Sequence, residues 1–178
     1  MQHPLWTPSA ERIAATRLDA FRRYVESRHG VQLADYPALH AWSIAERAAF
    51  WQAIVDFFEV RFHAQPSGVL EEGPAMPDAR WFPGATLNFA EHLLRRRDDR
   101  AALVAIGEDG TREELSHAQL AEHVAGLQRS LREAGVGIGD RVAAFMPNTW
   151  QTVVGMLATA SLGATWSSCS PDFGTQGV

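Results

Sequence analysis

Arg141-Val142-Ala143-Ala144-Phe145-Met146, Pro147-Asn148-Thr149, and then the apolar run to Gly163 and Ala164-Thr165-Trp166-Ser167-Ser168 decide the fold. The first six residues read as a buried strand, short, apolar and closed by a proline turn. Thr149 is placed to cap a helix running to about Leu162, and Gly163 stops that helix. Ala164 to Ser168 is then a second strand. Strand, helix and strand in about thirty residues form a βαβ unit, which makes the strands parallel and the crossover right-handed. The fold class is therefore α/β.

Upstream of this unit the pattern stays regular. Ser116 with Gln119 makes a capping box, and Leu120, Val124, Leu127 and Leu131 follow at i, i+4, i+7 and i+11, one inward helix face. Gly135 ends that helix. Leu103 to Ile106 and Arg112 to Leu115 flank Glu108-Asp109-Gly110-Thr111, a hairpin whose Asp-Gly supplies the positive φ of a tight turn. Asn88 and Glu91 can cap a short helix to about Arg96. A hairpin and two parallel strands leave open edges and an uncovered sheet face. The expectation is an incomplete α/β domain that the chain leaves at Gly177-Val178, with self-association through those edges possible.

Residues 1 to about 95 read instead as a helical leader. Thr16 to His29 carries Leu18, Phe21 and Val25 at helical spacing, with Gly30 as its stop. Ser43 with Glu46 reads as a capping box before Phe50, Trp51, Ile54, Val55, Phe57 and Phe58, an aromatic stripe assigned to core packing rather than to a ligand. Between Gln65 and Pro83, prolines and glycines crowd together, so a surface loop is expected.

Composition removes several functions. Apolar residues make up 46% and charged residues 21%, the balance of a folded protein. A net charge of −5 argues against a phosphate-tracking nucleic-acid surface. The basic run Arg95-Arg96-Arg97 with Arg100 is interrupted by Asp98 and Asp99 and reads as a solvated helix end. All 16 basic residues are arginine. Chemistry requiring a lysine, whether phosphate clamp, Schiff base or general base, has no group to perform it here. The lone Cys169 cannot form an internal disulfide, which suits a reducing cytoplasm. Met1 to Trp6 shows no secretory pattern, and the apolar runs are too short to span a bilayer.

Motifs that could carry chemistry are few. Gly135-Val136-Gly137-Ile138-Gly139 leaves a helix and enters a strand, whereas a dinucleotide loop runs from strand to helix. It reads as a tight connection ending at Asp140. Ser167, Ser168 and Ser170 lie at a strand end but lack a Gly-x-Ser-x-Gly elbow and a histidine placed as base. Cys169 reads as a small buried residue rather than a reactive thiolate. The seven histidines (His3, His29, His40, His63, His92, His117, His123) show no ligand spacing, so no metal site is expected. On these grounds alone the chain is a helical leader plus an incomplete α/β domain with a possible ligand edge at Ser167 to Gly174.

The order of segments carries a resemblance. Trp81-Phe82-Pro83-Gly84-Ala85-Thr86-Leu87-Asn88-Phe89-Ala90-Glu91-His92-Leu93-Leu94 resembles the opening segment of short-chain acyl-CoA synthetases of the adenylate-forming superfamily. Leu115-Ser116-His117-Ala118-Gln119-Leu120 is similar to the first core motif of that family, with His117 where tyrosine is usual. Gly139-Asp140-Arg141-Val142-Ala143 through Met146-Pro147-Asn148 is similar to its next strand and turn. Ala164-Thr165-Trp166-Ser167-Ser168-Cys169-Ser170-Pro171-Asp172-Phe173-Gly174 resembles the second core motif, and its Ser-Pro-Asp-Phe-Gly ending points to the acetoacetyl-CoA branch. The helical leader with Phe50-Trp51 resembles the N-terminal extension of that branch.

The resemblance implies an extension over residues 1–95 and the start of an AMP-binding (adenylation) domain over 96–178. It implies a ligase that joins a small carboxylate, acetoacetate, to CoA with ATP and Mg through an acyl-adenylate. The lysine-bearing phosphate loop and catalytic lysine of the family have no counterpart here, so no catalytic residue is assigned and the isolated chain is expected to be inactive. By position, Ser170, Pro171, Asp172 and Phe173 are the candidate cofactor-binding residues, near CoA pantetheine and nucleotide. The alternative is a free-standing, non-catalytic interaction or regulatory module derived from this fold.

Overall fold

The computed structural model describes residues 5–174 and Gly177. Met1 to Pro4, including His3, and the terminal Val178, all read in the sequence, lie outside the described residues, as do Thr175 and Gln176. The chain divides into two compact units, the first ending at Thr86 and the second beginning at Leu87.

Among the described residues of the first unit, four helices, α1 (Ala10–Ala14), α2 (Arg17–His29), α3 (Tyr36–Ala45) and α4 (Arg47–Phe57), precede a short ribbon of β1 (Leu70–Glu71) and β2 (Arg80–Trp81). Helix α2 begins and ends as its sequence predicts. Thr16 Oγ1 accepts from the Asp19 amide at 3.1 Å, and Gly30 closes the helix at φ 68°. Ser43 and Glu46 depart from expectation. Ser43 lies inside α3 and donates its hydroxyl to the His40 carbonyl at 2.7 Å, while Glu46 joins α3 to α4 without a side-chain cap. The stronger start signal lies upstream. Asp35 Oδ1 accepts from the Ala38 amide at 2.9 Å, and Pro37 sits in the first turn, where a missing N–H costs nothing.

The leader core gathers Phe21, Val25, Leu33, Leu39 and Ala53, with Phe50, Ile54 and Phe57 packed against them. Phe21 is its centre. Its ring meets Phe50 edge-on at 5.8 Å and Phe57 at 5.3 Å. The aromatic stripe is thus core material, as read, although Trp51 turns toward Trp81 at 5.7 Å and stays 43% exposed. Between residues 65 and 83 the backbone is mostly irregular, with β1 and β2 paired antiparallel and a single 3₁₀ turn at Met76–Asp78.

The second unit opens with α5 (Phe89–Leu93), then β3 (Ala101–Ile106), β4 (Arg112–Ser116), α6 (His117–Glu133), β5 (Arg141–Phe145), α7 (Trp150–Ser161) and β6 (Thr165–Cys169). The hairpin turn forms where Asp-Gly predicts it. Gly110 has φ 82°, and Asp109 Oδ1 accepts from both the Thr111 amide and its hydroxyl, at 3.0 and 2.7 Å. That hydroxyl bond, with the Thr111 amide, holds the Asp109 carboxyl below its ordinary range. The box at α6 is complete. Ser116 Oγ accepts from the Gln119 amide at 3.2 Å, and Gln119 Oε1 accepts from the Ser116 amide at 2.9 Å.

Strands β5 and β6 pair in parallel, from Arg141 opposite Thr165 to Phe145 opposite Cys169, with α7 as the crossover. The core lies on one side of them: Ala90, Leu120, Val124, Val154, Leu157 and Ala158, flanked by Leu127 and Leu131. Each fully buried leucine or valine there contributes roughly 1.5–3 kcal/mol. β5 is not the buried strand its apolar sequence predicts. Its burial alternates, and Phe145 is 51% exposed. The pair is a sheet of two strands, so alternate side chains have helices to meet on one face alone.

Candidate functional site

In parallel sheets, ligands collect at the carboxyl ends of the strands. Here that end is formed by Phe145 and Met146 after β5 and by Ser170 onward after β6. The Met146 amide donates to the Cys169 carbonyl at 3.1 Å, extending the ladder one residue beyond β5 and bringing the two exits side by side. The chain then folds into one 3₁₀ turn, Pro171–Phe173, because Ser170 caps it and Pro171 supplies its φ. Ser170 Oγ donates to Asp172 Oδ2 at 2.8 Å and accepts from the Asp172 amide at 3.3 Å. The Phe173 amide donates to the Ser170 carbonyl at 3.2 Å, and Gly174 leaves the turn at φ 64°.

This arrangement brings the four sequence-predicted residues into one small loop. Pro171, Asp172 and Phe173 are exposed, Phe173 by 67%. The loop presents an acceptor carboxylate held in place by a neighbouring hydroxyl, and beside it an exposed aromatic ring. It offers no nucleophile with a base. Among the described residues no histidine bonds Ser167, Ser168 or Ser170, and none of the acidic, histidine and cysteine side chains cluster in a way that could hold a metal. Cys169 is half-buried and free of disulfide bonding.

The glycine-rich stretch lies at the opposite, amino end of β5. There the Gly137 amide donates to Asp140 Oδ2 at 2.8 Å, the Val136 amide to the Leu131 carbonyl and the Asp140 amide to the Gly137 carbonyl. Amides turned inward to their own loop cannot cradle a phosphate. The connection reading of this stretch agrees with the geometry.

Several contacts that shape the candidate site escaped sequence reasoning, because they join residues distant in the chain, even where, as at Asn88, the local cap was read. Asn88 caps α5 through Oδ1, which accepts from the Glu91 amide. Its Nδ2 donates to the Ala160 carbonyl at 3.0 Å, pinning the C-terminal end of α7. Trp166 of β6 lies on α7 at Gly155, so closely that a Cβ added there would stand 2.7 Å from the indole Cη2. The Gly155 inside a helical pattern is the one signal that could have flagged such an approach. Trp150, at the start of α7, donates its indole N–H to Glu113 of β4 at 2.7 Å, and its ring meets that of His123 of α6 at 5.0 Å and a tilt of 37°. Together these contacts set the position of α7, and so of the strand exits it connects.

Comparison with known proteins gives these features a context. The AMP-binding enzyme family model matches residues 89–178, and the model for the acetyl-coenzyme A synthetase N-terminus matches residues 36–93. The chain is 47% identical over 177 residues to the acetoacetyl-coenzyme A synthetase of Rhizobium meliloti (strain 1021), covering 99% of this chain and 27% of that protein. It is 38% identical to the acetoacetyl-CoA synthetase of Xenopus tropicalis, with 98% and 26% covered. It is also 38% identical to the malonamoyl-CoA synthetase vrtB of Penicillium aethiopicum, with 98% and 25% covered. The solved acetoacetyl-CoA synthetase from Streptomyces lividans superposes with a TM-score of 0.90 at 44% identity, over 98% of this chain and 28% of that one. The chain therefore spans about a quarter of the length of these relatives. With a family model covering its second unit from α5 through β6, the chain belongs to the AMP-binding enzyme family.

Proposed function

We propose that these residues serve as the opening portion of an ATP-dependent acid–thiol ligase that converts acetoacetate, ATP and CoA into acetoacetyl-CoA, AMP and pyrophosphate. One observation carries this reading: the likeness to acetoacetyl-CoA synthetases runs through leader and α/β unit alike, over 99% of the chain at 47% identity. The chemistry has a plain rationale. A carboxylate is a poor electrophile, and joining its oxygen to AMP turns that oxygen into a good leaving group for the CoA thiol. ATP, CoA and Mg would be the cofactors and the cytoplasm the compartment. The family divides, in this reading, into an extension over residues 1–95 and the opening of the adenylation domain over 96–178, with α5 already packed on the latter's α7.

Within that reaction the chain supplies a scaffold and one contact loop. Adenylation needs positive charge against the developing negative charge, which the family provides through lysines. This chain contains none. Residues 1–178 alone should show no ATP–pyrophosphate exchange with Mg and acetoacetate. Ser170, Pro171, Asp172 and Phe173 are proposed to line the path of the CoA arm and nucleotide, the ring of Phe173 offering apolar contact and Asp172 accepting hydrogen bonds.

The test is a chimera in which residues 1–178 replace the matching segment of the Rhizobium meliloti relative. Thioester formation from acetoacetate at a rate near the parent's is the expected result. A chimera that folds yet makes no thioester would overturn the proposal. In it, Phe173→Ala should raise KM for CoA by about tenfold, the loss of roughly 1.4 kcal/mol of ring contact, with kcat less affected. An unchanged KM would remove the loop from the binding path.

A further inference from the structure

We draw no further inference here: the strongest candidate, the apolar groove between α2, α3 and α4 floored by Phe21, Leu39 and Phe50 with the Arg17 guanidinium at its rim, is an exposed face, and nothing in the structure shows what covers it.

Discussion

Each of the two units has its own kind of internal packing. The leader is built on rings. Phe21 touches Phe50, Phe57 and Phe58, and Tyr24 and Trp42 extend the cluster through Phe57 and Phe50. The Arg17 guanidinium lies 4.8 Å above Phe57. The second unit is built on small and aliphatic side chains. Ala90, Leu157 and Ala158 let α5, α6 and α7 approach closely, and Gly155 leaves room for Trp166. Rings reach across gaps and tolerate short, variously angled helices, as in a leader whose longest helix has 13 residues. Close aliphatic packing demands exact register but holds strand ends in fixed positions. The candidate loop therefore sits on the unit whose geometry is less adjustable.

Removing the centre of the ring cluster is the most severe test of that contrast. Phe21→Ala should cost about 3–5 kcal/mol, through lost burial and the cavity left behind. Hydrogen exchange should accelerate at amides of α2 and α4 while α6 and α7 keep their protection. Equal acceleration in both sets would mean that the units do not behave separately.

The matching change in the second unit adds volume instead. Gly155→Ala places a methyl against the Trp166 indole and should cost about 1–3 kcal/mol in chemical denaturation. Combining it with Trp166→Leu should recover part of that loss. A single variant as stable as the parent would show that β6 can give way, and that the packing is looser than described.

A smaller effect of opposite sign is expected at Thr159. It is fully buried, and its hydroxyl has no hydrogen-bond partner among the described residues. Thr159→Val keeps the shape and removes the uncompensated group, so the melting temperature should rise, by about 1 kcal/mol of stability. A fall would point to a hydroxyl that is satisfied after all.

The smallest effect is electrostatic. The Asp98 carboxyl is held below its ordinary range, first by the Arg100 side chain, whose Nε donates at 2.9 Å, and then by the Arg100 amide and the charge of His117. A carboxyl depressed in the folded state stabilises the fold at pH values above its unfolded pKa, and that contribution is lost as pH falls through the depressed value. The stability gap between parent and Asp98→Asn should thus be present at neutral pH and close in acid. Because the pair is solvent-exposed, the gap should be slight. A gap that widens in acid would contradict the assignment.

These cases also show where sequence reading stops. The Asp109-Gly110 turn, the Ser116/Gln119 box and the Gly30 stop were legible because each is satisfied within a few residues of itself. Ser43 was misread for an equally local reason, since its spacing to Glu46 satisfies the box pattern but Asp35 and Pro37 had already started a helix through it. The loop of Ser170 to Phe173 could be located as a strand exit and by family resemblance. Its internal bond from Ser170 to Asp172 and the exposure of Phe173 emerged only in three dimensions.

What the sequence determined by itself was α2 and the order and type of the elements from α5 to β6, because periodicity, caps and turn residues act over one to four neighbours; α1, α3 and the β1–β2 ribbon of the leader were not read from it. It also showed that these 178 residues contain no lysine, since composition needs no geometry. Tertiary structure alone decided which faces of those elements meet: Asn88 with Ala160, Trp150 with Glu113, Trp166 with Gly155. Such partners are separated by about ten to seventy residues, and contacts of that range depend on how every intervening element packs.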